Sequence, residues 1–230
     1  MKLKLRLLAA AAATVLASNA WSASVTLTPL TGLTGGTLAA TAVYKADLSA
    51  VGVGSILSVQ ISDNSAGLGG APGQFSGFDL DAVKLSYTDC ATAACAASAA
   101  GLAIFDFVAG TLFSPGSQRP AADPKLFGTD VTGAAVNDAV ATLGAFDGES
   151  STVTPFGFLS MGDSGVISFN LTAAALTSGL FLYIGEVGDN GEVAAGSIRV
   201  SDNRIPEPGS LALAGLALAA MTATARRRKN

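Results

Sequence analysis

The chain has 230 residues, half of them apolar, with 27 glycines, few aromatics and no histidine. From Leu7 to Ile205 there are 16 acidic residues against six basic ones, while seven of the 13 Lys and Arg side chains are clustered at the two ends. An acidic body excludes nucleic acid as a partner, because phosphate binding needs clustered cations, and the lack of histidine removes the usual base of a serine hydrolase and the commonest zinc ligand.

The N-terminus reads as a secretory signal. Lys2, Lys4 and Arg6 form a basic leader, 7–16 is a short apolar run, and Ser18 and Ala20 are small residues ahead of a cut between Ala20 and Trp21. A cut after Ala23 would put Trp21 where a small side chain is needed. Residues 1–20 are therefore expected to be a signal peptide, with the secretory translocon and signal peptidase as its partners.

The stretch 21–204 is expected to be one extracytoplasmic domain. Short apolar or alternating runs predict strands at 24–28, 37–45, 55–62, 83–87, 102–108, 153–159, 166–171, 180–185 and 192–200. Turn residues separate them, as in Asp63-Asn64-Ser65, Asp163-Ser164-Gly165 and Asp189-Asn190-Gly191. Many short strands without intervening amphipathic helices predict an all-β fold, an antiparallel β-sandwich of jelly-roll kind. Cys90 and Cys95 are expected to form a local disulfide, as suits an exported chain, with two buried free thiols as the alternative. A helical turn is expected over 93–100 and a long surface loop over 113–127.

No motif in the body specifies catalysis, and the chain is expected not to be an enzyme. Gly162-Asp163-Ser164-Gly165 matches a protease-like string, but a serine hydroxyl needs a base within reach and no histidine is present. Paired carboxylates cleave glycosides without histidine. Here, however, acids such as Glu149, Glu186 and Glu192 lie near turns, where local hydrogen bonding also favours acidic residues. The glycine run 67–73 lacks the Lys-Ser/Thr of a phosphate loop. Calcium is the one metal to consider: Asp79 and Asp81 share a face of any strand, and Asp189, Asn190 and Glu192 form a second group of hard oxygen donors. The alternative for the first pair is that Asp79 and Asp81 face solvent while Phe78, Leu80 and Val83 are buried. Asn170-Leu171-Thr172 satisfies a glycosylation sequon.

The C-terminus carries the most information. Pro206-Glu207-Pro208 interrupts regular structure, and an apolar run over 211–225 follows, closed by Arg226, Arg227, Arg228 and Lys229. As a helix, that run would be roughly 22 Å long against a hydrocarbon core of about 30 Å. It is expected to act as a transmembrane helix with local thinning, the basic cluster staying cytoplasmic.

This order of Pro-Glu-Pro, short helix and Arg cluster resembles the PEP-CTERM sorting signal over 205–230. The resemblance implies recognition by exosortase, an intramembrane transpeptidase of Gram-negative bacteria that cuts at or near the Pro-Glu-Pro. It further implies a body held transiently at the inner membrane in the periplasm and then passed to the outer surface or the matrix, in association with exopolysaccharide or biofilm. Residues 77–83 and 183–193 also look like stretches that recur in other proteins with this tail, which implies a shared domain of no known activity. The expected function is a non-catalytic surface or matrix protein. The alternative is a carbohydrate-binding module, with or without calcium.

Overall fold

Two five-stranded antiparallel sheets face each other across an apolar core, in a computed structural model that describes residues 22–36, 40–64, 71–150, 156–188 and 198–206. In chain order the strands are β1 (Ser22–Val25), β2 (Thr28–Thr34), β3 (Thr41–Asp47), β4 (Ser55–Ser62), β5 (Asp79–Ser86), β6 (Thr111–Ser114), β7 (Leu159–Ser160), β8 (Val166–Leu176), β9 (Phe181–Val187) and β10 (Ile198–Ser201). One sheet runs β1-β10-β4-β8-β6, the other β2-β3-β9-β5-β7. From β3 onward the chain changes sheet at every strand. With the two edge additions β2 and β6 set aside, the remaining eight strands lie in the order of a jelly roll. The expected all-β sandwich is the fold found.

Side-chain alternation sets the register. Ile167, Phe169 and Leu171 of β8 point inward while Ser168 and Asn170 between them point outward. In β4 the alternation breaks at a bulge between Ile56 and Ser58, so Ile56, Val59 and Ile61 all reach the core. Each such fully buried Ile, Leu or Phe contributes about 1.5–3 kcal/mol relative to exposure. Strand β9 is buried on both faces. Leu182 and Ile184 enter the central core, and Tyr183 packs on the other side with Val43, Ala82, Phe146 and helix α1 (Ala93–Ser98). A one-turn helix α2 (Asp138–Ala141) lies in the long β6–β7 connection.

Several sequence expectations need correction. Residues 102–108 are not a strand. They form a turn-rich loop whose Phe105 and Phe107 stack on each other and meet Phe169 edge-on, so their apolar character serves packing rather than a ladder. The long loop expected over 113–127 instead begins inside β6, which pairs with β8. β2 is absent from the sequence reading: as an edge strand with mostly exposed residues and a bulge between Pro29 and Leu33, it carries no alternating pattern. Of the strand expected over 153–159, only Leu159 belongs to a described strand, and residues 151–155 lie outside the described residues. The expected helical turn near Cys95 is α1. Among the described residues no helix is long and apolar enough to cross a membrane, and 211–225 lies outside them.

Candidate functional site

The ends of the body meet. β1 pairs antiparallel with β10, and Ser22 sits opposite Ser201. Beyond β10 the chain does not leave the domain at once. It crosses the outer face of the sheet, from β10 over β4 to β8, as a stem comprising residues 202–205. Ser58 Oγ donates to the Asn203 carbonyl at 2.7 Å. Asn170 grips Ile205 by both polar groups: its Nδ2 donates to Ile205 O at 2.9 Å, and Ile205 N donates to its Oδ1 at 2.7 Å. Arg204 Nη2 donates to Thr172 O at 3.1 Å. Pro206, the first residue of the Pro-Glu-Pro motif, follows and is exposed. Glu207, Pro208 and the basic cluster Arg226, Arg227, Arg228 and Lys229 lie outside the described residues, as does the expected signal peptide.

Asn170 is thus a backbone clamp. The sequon was the only feature the sequence reading attached to it. Its place between inward Phe169 and Leu171 is the signal that could have marked it as an outward polar group.

The Cys90–Cys95 disulfide is present, with Cα atoms 5.5 Å apart. It closes the turn leading into α1, whose first turn is capped by the Thr92 hydroxyl accepting from Cys95 N at 3.2 Å. From below, the Tyr183 hydroxyl accepts from Cys90 N at 2.9 Å and donates to Thr88 O at 2.6 Å. The far end of α1 is closed by Lys84, whose Nζ donates to the carbonyls of Ala96, Ala97 and Ala99 at 2.9, 2.8 and 3.2 Å and lies 5.0 Å from the Phe146 ring centre. Burial lowers the Lys84 ammonium from its ordinary pKa.

Asp79 and Asp81 share a face of β5, but neither is solvent-facing: both are buried. Asp79 Oδ1 accepts from Ser160 Oγ at 2.5 Å. Asp81 Oδ1 accepts from Gly148 N at 2.9 Å, and its Oδ2 has no hydrogen-bond partner among the described residues. Position 148 has to be glycine for this closure, since a Cβ there would run into Val187 and the Asp81 carboxylate. Desolvation pushes the Asp81 carboxyl up to about 7. The Thr41 hydroxyl nearby, outside hydrogen-bonding geometry, and the Gly148 N–H act in the opposite direction, and the charge of Asp147 adds to the rise.

Among the described residues no three His, Cys, Asp or Glu side chains come together as a metal-ligand group. Asp189, Asn190 and Glu192 lie outside the described residues.

Ser164 sits in a turn with φ of 67°, its N–H donating to Asp63 Oδ2 at 2.8 Å. The neighbouring Asp163 pairs with Arg119 at 2.7 Å. This accounts for the protease-like string as turn chemistry.

A family model described as the PEP-CTERM protein-sorting motif matches residues 204–229. The match begins within the docked stem and includes the Pro-Glu-Pro, the apolar run and the basic cluster. The motif implies export to the cell envelope, with exosortase as the processing partner. No curated protein and no solved structure matches the chain.

Proposed function

We propose that this is a non-catalytic cell-surface or extracellular-matrix protein, handed outward through its C-terminal tail and associated with exopolysaccharide or biofilm. The observation that carries the reading is the sorting motif at 204–229, fused directly to a folded jelly-roll body. Before processing, the body stands in the periplasm, anchored by the apolar run at the inner membrane; afterwards it belongs to the outer surface or matrix. The non-catalytic part is supported by the engagement of acidic side chains in structural bonds: Asp79 with Ser160 and Asp163 with Arg119.

The test is replacement of Pro206-Glu207-Pro208 by alanines in the native host. The expected result is a longer, membrane-retained protein. Normal release of the variant would contradict the sorting reading. Co-sedimentation of the mature protein with host exopolysaccharide tests the destination, and a protein found wholly in the polysaccharide-free fraction argues against it.

A second reading, a carbohydrate-binding module, is favoured by a shallow groove of about 410 Å³ beside the stem, lined by Gln60, Phe107, Phe113 and Ser168 among others. Half-buried aromatic rings beside amide and hydroxyl groups suit a sugar face. Glycan-array binding by the mature protein would support this reading. A melting temperature that falls on adding a chelator would support calcium dependence.

A further inference from the structure

Ser58 and Asn170 are direct register partners on β4 and β8, both on the outer face of their sheet. Together they hold residues 202–205 through the Asn203 carbonyl and the complete polar pair of Ile205. An asparagine side chain that satisfies both the N–H and the C=O of one residue acts as a strand partner would. Enzymes that bind an extended peptide use these same main-chain groups.

Ile205 matters most here because Pro206 has no N–H to offer. It is the last residue before the motif with both a donor and an acceptor, and Asn170 occupies both. Reach points the same way. From Ile205 to Leu211 the extended chain covers at most about 20 Å, so a docked stem keeps the body close to the membrane, and lifting 202–205 would add roughly 14 Å. The contacts are few, and Arg204 and Pro206 are exposed, so the stem can detach without unfolding the sandwich.

We propose that Asn170 and Ser58 form a clasp that regulates processing of the tail, the sorting enzyme acting on the form in which the clasp has opened and Ile205 has been released. The proposal rests on the exosortase reading given above and adds a control element within the body itself.

The experiment uses the full chain in its native host. Conversion of precursor to mature protein is followed by pulse-chase with intact-mass detection for wild type, Asn170→Leu, Ser58→Ala and the triple-alanine motif variant. Amide exchange at Ile205 is measured on the purified precursor. We expect Asn170→Leu to convert three- to tenfold faster with loss of Ile205 protection, and Ser58→Ala to convert faster by a smaller factor. Ser58→Ala also serves as the reporter if Asn170→Leu fails to fold.

Conversion at or below the wild-type rate in the folded clasp variants, while the motif variant stalls, would overturn the clasp and leave the sorting reading intact. An Ile205 amide that exchanges freely in the wild-type precursor would also overturn it. Wild-type conversion of the motif variant would remove the sorting reading, and the clasp proposal with it.

Discussion

Ser22 and Ser201 lie opposite each other at the end of the β1–β10 ladder, so the start of the body and the end of its last strand are neighbours. Ser22 therefore lies beside the start of the docked stem, and the chain reaches the sorting motif only after that stem has crossed β4 to β8. Among the described strands the ladder is also the pairing of longest range. Its loop-closure entropy is offset only when the final strand reaches the sheet.

The first prediction concerns Asp81. Its folded-state pKa of about 7 lies above the ordinary 3.8, so the folded protein binds a proton that the unfolded chain releases. The associated stability is fully present below about pH 4 and is lost as pH rises through 7. A shift of this size corresponds to about 4 kcal/mol over the window. The carboxylates with lowered pKa, Asp47, Asp106 and Asp130, act in the opposite sense, but only below their unfolded values. Urea titrations at pH 5 and pH 8 should show greater stability at pH 5, and Asp81→Asn should remove most of that difference. A wild type equally stable at both values would refute the assignment.

Lys84 is predicted to be structural. Lys84→Met keeps most of the side-chain volume but leaves three carbonyls of α1 and its exit without their shared donor. The expected loss is about 1–3 kcal/mol, read from the midpoint of chemical denaturation. A midpoint within error of wild type would show that water replaces the ammonium at no cost.

The disulfide closes a very short loop, for which chain entropy predicts a contribution of about 2 kcal/mol. Cys90→Ser with Cys95→Ser should lower the melting temperature to the value that wild type shows under reductant. A double variant more stable than reduced wild type would mean that the thiols, rather than the open loop, account for the loss.

Arg119→Met is predicted to destabilise by about 1–3 kcal/mol. It leaves a partly buried Asp163 without its guanidinium, at side-chain exposures of 15% and 22% for the two partners. The effect should shrink when Asp163→Asn is added, and a double-mutant cycle measures that coupling.

The sequence by itself determined the parts whose physics is local. Alternation placed β4 and β8, a continuous apolar run placed β9, close cysteine spacing foretold the bridge that starts α1, and the order of prolines, apolar run and cations in the tail marked the sorting signal. The tertiary structure decided what depends on which segment covers which face. Phe105 and Phe107 looked like strand residues, yet their rings pack on Phe169 from a loop. Asp79 and Asp81 have the alternating spacing of a solvent-facing or metal-binding pair, yet Ser160 and Gly148 arrive from distant positions to enclose them. Asn170 and Ser58 become a clasp only because β10 delivers the stem across β4 and β8. Burial and pairing between remote segments are set by topology, and no local pattern in the chain encodes which outer face a passing segment will cross.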